Sequence, residues 1–258
     1  MKHIIISLFA TFSAFAAPAL AHEGEGHVQL QVAPATPAQA GKPYEGTLTL
    51  TLADGKPATP EALQVVHTER LHLLVIDPTL SDYHHLHPKP GTKPGEYVLN
   101  FVPRRDGAYR LWADVTPVGG EHAYARADIG RYSTDATIDR SETREAQVDG
   151  LTFRLTLATP LSAGQATMAT VEVSKEGKPF AALEPVMGAY AHGVGFSDDG
   201  QQLLHVHPLG EEPTGDQRGG PTLQFHLLPA EPGFLKFFVQ VRVDGRDVFA
   251  PFGLFVPR

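Results

Sequence analysis

The chain has 258 residues, with 21 Lys or Arg against 29 Asp or Glu, and no cysteine. The formal charge of −8 argues against nucleic acid and anionic membranes as partners. The missing thiols exclude disulfides, thiolate metal sites, redox dithiols and a blue-copper centre with its Cys ligand, so stability must come from hydrophobic cores.

Residues 1–21 read as a secretory signal peptide: Lys2 and His3, an apolar run over 4–17, then Ala19-Leu20-Ala21 as a small-x-small cleavage site. The run is too short to favour a membrane anchor, and no later stretch is long enough to span a bilayer. The mature protein is therefore expected to begin at His22 and to be periplasmic or secreted, with no membrane span after cleavage. Its first segment, 22–27, reads His22-Glu23-Gly24-Glu25-Gly26-His27. A free terminal amine beside the His22 imidazole chelates copper, with His27 close by. We read the segment as a metal-scavenging tail rather than a structured chelate.

Residues 28–140 form the first domain. Val28–Val32 and Thr47–Leu52 alternate apolar and polar side chains and are bounded by Pro, Gly and Asp-Gly, the pattern of half-buried antiparallel strands. His67 and His72 come next, followed by Asp77-Pro78-Thr79-Leu80 with a type I turn signature and then Tyr83-His84-His85-Leu86-His87-Pro88. Residues 141–147, polar and unpatterned, read as a linker. The second domain, 148–258, opens with the alternating runs Leu151–Leu157 and Thr170–Val173. It then carries Met187, Ala191-His192, the turn Ser197-Asp198-Asp199-Gly200 and Leu204-His205-Val206-His207-Pro208.

The two domains are repeats. Ala35–Gly41 matches Ala158–Gly164, Asp54–Pro57 matches Glu176–Pro179, and Asp106–Trp112 matches Pro232–Phe238, with an insertion at Leu209–Gly220. No stretch has a convincing helical period. We expect an all-β protein of two tandem immunoglobulin-like or cupredoxin-like β-sandwich domains, each of about seven strands.

In both copies a lone histidine precedes a His-x-His-Pro by thirteen residues (85 − 72 and 205 − 192). If each turn closes a tight hairpin, opposed residues sum to 157 in the first domain and 397 in the second. His72 then faces His85 and His192 faces His205, with His87 and His207 as diagonal neighbours on the same face. Three imidazoles from two strands converge in each domain, as a metal bound through nitrogen at about 2 Å requires. The bland alternative is that these rings are rim or core residues satisfied by backbone carbonyls, a reading that two coincident triads disfavour. Five residues before each lone histidine stand His67 and Met187, candidates for a fourth ligand that would have to reach the metal from a bend or preceding loop, with Met187 as a filler of a core gap the alternative reading. Thioether favours Cu(I), whereas imidazole serves Zn, Cu(II) and Ni as well. The second domain is therefore expected to prefer Cu(I) and the first divalent ions. Copper is the expected metal, with zinc and nickel as alternatives. His84 faces the other way, and His122 and His226 read as exposed or structural.

In Tyr83–Pro88, Met187–His192 and His205–Pro208 the chain resembles a loosely characterised group of exported bacterial proteins with one or two sandwich domains, a His-x-His-Pro signature and an association with copper and heavy-metal handling. The resemblance covers both domains. It implies a periplasmic metal-binding carrier, buffer or sensor, in exchange with another periplasmic metal-handling protein, and says nothing of catalysis. The competing reading is a sandwich interaction or adhesion module with structural histidines. An enzyme, either a copper oxidoreductase at His22 or a zinc hydrolase at one triad, is disfavoured: the acids near the motifs, Asp77, Asp82, Asp198 and Asp199, lie in or beside turns, and no serine or lysine constellation forms a nucleophilic site.

Overall fold

The computed structural model describes residues 28–210 and 212–258. The first domain consists of β1 (Val28–Ala33), β2 (Tyr44–Leu52), β3 (His72–Ile76), β4 (Tyr83–Leu86), β5 (Glu96–Phe101), β6 (Tyr109–Val115) and β7 (Ala123–Ile129). The second contains β8 (Glu145–Val148), β9 (Leu151–Leu157), β10 (Thr167–Lys175), β11 (Lys178–Pro179), β12 (His192–Ser197), β13 (Leu203–Val206), β14 (Thr222–Leu227), β15 (Gly233–Val243) and β16 (Arg246–Val256). A single 3-10 turn at Pro60–Ala62 is the one helical element among the described residues. No helix there is long and apolar enough to cross a membrane.

In the first domain the sheet β1-β2-β5 stacks on the sheet β4-β3-β6-β7, all pairs antiparallel. Alternation drives the stacking. Leu48 and Leu50 of the Thr-Leu-Thr-Leu run point inward with Leu99 and meet Leu73, Val75 and Leu111 from the opposite sheet. In the second domain β9 pairs with β8 and β10, β10 also carries β11 and β14, and this sheet covers β13-β12-β15-β16. Phe153, Phe225, Phe237 and Phe252 fill its core. Bulk is redistributed between the repeats: where the first core has Leu73, the second has Gly193, because a Cβ there would lie 2.7 Å from Phe237 Cζ. Residues expected to be linker are in part structural. Thr143 bridges Gly253, and from Glu145 on the chain forms β8 and pairs with β9.

The two four-stranded sheets face each other across the domain boundary. Every residue of β3 and of β12 is buried, since one face of each strand lies on its own core and the other on the neighbouring domain. Leu74, Ile76, Tyr83 and Trp112 of the first domain interleave with Val194, Phe196, Phe234 and Phe238 of the second as a third core. Arg110 anchors one end, donating from Nη1 to Gly200 O at 2.7 Å while its Nε and Nη2 hold Asp128, each at 2.8 Å. The face expected to carry the histidines at a sandwich rim is thus the inter-domain interface.

Candidate metal centre

The histidines sit at one end of this shared face. His72 begins β3 opposite Asp114 of β6, and His192 begins β12 opposite Gln240 of β15. The hairpins differ from the expected register by two residues. Leu73 pairs with Leu86 and Gly193 with Val206, so opposed residues sum to 159 and 399. The turns do form where expected, with Leu80 N donating to Asp77 O and Gly200 N to Ser197 O. Each then needs one more residue in the left-handed region, Leu80 at φ 55° and Gly200 at φ 65°, before the strands meet. An even shift preserves the faces. The register now sets His72 toward His87 and His192 toward His207, with His85 and His205 as the diagonal members.

Both triads converge. In each, His72-His85-His87 and His192-His205-His207, the three candidate ligand atoms lie within 4.8 Å of one another. The second ring nitrogen fixes most of the tautomers. His72 Nε2 lies 3.0 Å from Val66 O, and His192 Nε2 lies 3.0 Å from Val186 O. His85 Nδ1 is 2.8 Å from Gln240 Oε1, whose amide is oriented by Nε2 donating to Asp247. His205 Nδ1 is 2.6 Å from Asp114 Oδ2. These oxygens only accept, so the bonded nitrogens carry the protons and the opposite ones present lone pairs.

The lone pairs have no other occupation. His72 Nδ1 and His85 Nε2 face each other at 3.2 Å, close to the separation of about 3.3 Å between two nitrogens on one tetrahedral ion with bonds of about 2 Å. His192 Nδ1, His205 Nε2, His87 Nε2 and His207 Nε2 are buried with no hydrogen-bond partner among the described residues. Unpaired buried nitrogens are costly, and a cation at each triad would satisfy them. Burial, reinforced by neighbouring imidazoles, lowers the pKa of His72 and His85, and takes His87 to about 4, His207 to about 3 and His192 to about 2. These five rings are therefore neutral near pH 7, the form that coordinates.

His67 and Met187 occupy equivalent two-residue turns, Val66–Glu69 and Val186–Ala189, each closed by a reciprocal pair of backbone hydrogen bonds. Both central residues are left-handed: His67 at φ 46° with Thr68 at 69°, and Met187 at 50° with Gly188 at 73°. Such φ values are uncommon for non-glycine residues and strained for a β-branched Thr. The expectation that His67 joins the triad of its own domain is corrected. Because the domains pack face to face, its turn overhangs the other one: the His67 ring stacks on His207, centroids 3.5 Å apart and planes 21° apart, and lies 6.0 Å from His192. The Met187 turn lies alongside, with Gly188 packed against Thr68. A cleft of about 190 Å³ lined by His67, Tyr190, His207 and Glu212 opens beside this edge.

Asp114 went unrecognised in the sequence. It links the site to His122, its Oδ1 2.7 Å from His122 Nε2 while Oδ2 holds His205. Burial would raise its pKa, but the bonds from His122 and His205 outweigh this and keep the carboxyl well below the usual range; the same bond raises His122. The signal was available, since Asp114 aligns with Gln240 at the offset of 126 that already relates Asp106–Trp112 to Pro232–Phe238. His84 turns away, its Nε2 2.9 Å from Asp82 Oδ1, and His226 is exposed on β14. His22 and His27 lie outside the described residues.

A family model described as a domain of unknown function, DUF8832, matches residues 23–129 and again 146–257. The chain belongs to this family. It carries two DUF8832 units, one per sandwich and each with one triad. No curated protein matches the chain. Among solved structures, the D00–D0 domain of Intimin aligns over 90% of this chain and 100% of its own, at 10% identity and a TM-score of 0.25. The Yersinia pseudotuberculosis adhesin InvE aligns over 88% of this chain and 58% of its own, at 12% identity and 0.25. Red sea bream transglutaminase aligns over 90% at 11% identity and 0.26, and this chain spans 31% of that protein's length. These likenesses carry no functional inference.

Proposed function

We propose that this DUF8832 protein is an exported metal-binding protein that carries or buffers copper through the two histidine triads. The observation that carries the metal reading is the set of buried ring lone pairs, most of them fixed by hydrogen bonds on the far side of the ring, that point at one another rather than at protein donors. Rings held only for packing would spend both nitrogens on protein partners. Copper is favoured over zinc by charge. The triads supply neutral ligands, the surroundings are apolar, and Asp114 is the one carboxylate hydrogen-bonded to a triad ring among the described residues, so a monovalent soft ion costs least to bury. Export rests on the leader-like residues 1–21, and the role as carrier or buffer on Asp114, the one carboxylate hydrogen-bonded to a triad ring among the described residues, having both oxygens engaged by His205 and His122.

The test is competitive titration of mature, tag-free protein with Cu(I), Cu(II), Zn(II) and Ni(II), with metal content measured on protein isolated from its host compartment. Cu(I) should bind tightest and be lost when His85→Ala is combined with His205→Ala. Undiminished binding in that double variant, or zinc bound more tightly than Cu(I), overturns the reading. Mass measurement of the exported form should place its first residue at His22.

A further inference from the structure

We infer that the two triads are halves of one dinuclear centre assembled across the domain interface, not two independent sites. The inference rests on the metal-binding reading above and adds to it the coupling of the two ions. Within the triads, ring centroids are separated by 4.7 to 6.0 Å. Between them the separations are the same: 5.4 Å for His85–His205, 5.5 Å for His72–His205 and 5.7 Å for His85–His192. Rings that close leave no room for an intervening side chain. The cluster is thus continuous, yet the ligand atoms gather as two groups of three, which fits two adjacent ions rather than one.

The supporting hydrogen bonds cross the boundary too. His85 is oriented by Gln240 of the second domain and His205 by Asp114 of the first, so each triad has a ring whose orienting partner comes only from the docked neighbour. Strand pairing accounts for the exchange. Asp114 and Gln240 lie opposite His72 and His192 on the interface faces of β6 and β15, and from there each reaches the facing sheet. His67 makes the same crossing through its stack on His207.

Two ions this close repel, and the repulsion between two dications is fourfold that between two monocations at the same distance. With six neutral imidazoles and one carboxylate beside them, the centre suits a pair of Cu(I) ions, or a pair of divalent ions bridged by a small anion such as hydroxide.

The test uses full-length mature protein without a tag, loaded with one and then two equivalents of Cu(II) and followed by electron paramagnetic resonance. Two unpaired spins a few ångströms apart couple, so the second equivalent should bring a half-field transition and a spectrum that is not the sum of its parts. The parts come from two single-triad variants, His85→Ala with His87→Ala and His205→Ala with His207→Ala, each checked for folding by circular dichroism. If two equivalents bind and the spectrum is the sum of two isolated ions, or if the chain saturates at one equivalent, the dinuclear centre is overturned while metal binding stands. If neither Cu(I) nor Cu(II) binds, the metal-binding reading falls and the centre with it. Should the variants not fold, the unaltered protein decides: a half-field transition, or spin intensity well below two spins per chain at two bound equivalents, supports the pair, and two full uncoupled spins overturn it.

Discussion

Asp114 and Gln240 occupy the same position in the two repeats, and each holds the first His-x-His histidine of the opposite domain, Asp114 on His205 at 2.6 Å and Gln240 on His85 at 2.8 Å. The difference between them is one negative charge. A carboxylate behind an imidazole raises its basicity and strengthens its bond to a dication, whereas an amide orients the ring without adding charge. Asp114→Asn should therefore weaken divalent binding at the second-domain triad by about 10–100-fold and Cu(I) binding by less. Gln240→Glu should shift the first-domain triad toward divalent ions. Competition titrations with Zn(II) and Cu(I) on both variants check this, and equal losses for the two ions would leave Asp114 a purely orienting role.

His67 belongs by sequence to the first domain and by position to the second. In a variant that keeps only the His192-His205-His207 triad, His67→Ala should lower metal affinity by roughly tenfold, the scale of a lost supporting or ligating imidazole. In one that keeps only His72-His85-His87 it should change nothing. The opposite pattern would return His67 to its own domain. The same crossing puts the extra imidazole beside the second-domain triad, so the greater preference for divalent ions should be found there rather than in the first domain.

The strands and the shared face of each triad were legible because both rest on period two. Thr47–Leu52 and Leu151–Leu157 alternate without interruption, and parity alone put His72, His85 and His87 on one face. The two-residue register shift was not legible, since a type I turn signature does not say that Leu80 or Gly200 will add a left-handed residue before pairing resumes. Nor was the docking of the domains. The run His72-Leu73-Leu74-Val75-Ile76, apolar on both faces, signals a strand buried on both sides, but a single sequence does not say what covers the second face.

Metal should stabilise the fold, because the three ligands of each triad converge only in the folded hairpin and are oriented by partners from the facing domain. At free metal about 1,000 times the dissociation constant, one site contributes about 4 kcal/mol. For a chain of this size that raises the melting temperature by roughly 8–16 °C. Calorimetry with and without Cu(I) measures it. Identical melting curves would mean that the folded and unfolded chains bind metal equally.

Apoprotein stability should fall as pH drops below about 6.5. There the unfolded histidines take up protons, while His87, His207 and His192 stay neutral until about pH 4, 3 and 2. Each group costs about 1.4 kcal/mol per pH unit while fully inside its window. His122 works in the other direction, since its raised pKa adds stability at low pH that is lost as pH rises through the folded value. With His72 and His85 also lowered, five depressed triad rings outweigh one raised group, so the net slope is positive from pH 4 to 6.5. Urea midpoints at pH 7.5, 6 and 5 should decline for the wild type and decline less for His87→Gln with His207→Gln.

Tyr83 separates packing from hydrogen bonding at the interface. Its ring is fully enclosed by Phe196, Phe238 and Phe249 at centroid distances of 5.3, 5.0 and 5.3 Å, yet its hydroxyl has no partner among the described residues. Burial of that hydroxyl without a bond costs about 1–3 kcal/mol, while the ring contributes apolar contact. Tyr83→Phe should thus keep the domains docked and leave stability unchanged or higher. Tyr83→Ala opens a cavity between the sheets and should cost about 3–5 kcal/mol, the range for truncating a buried aromatic. Because His85 follows two residues later on the same face of β4, the cavity should also loosen the histidine cluster and weaken metal binding, an effect Tyr83→Phe should lack. Denaturant unfolding and Cu(I) competition on the pair of variants measure both. A destabilised Tyr83→Phe would mean that the hydroxyl is bonded in solution and that the interface is wetter than its apolar lining implies.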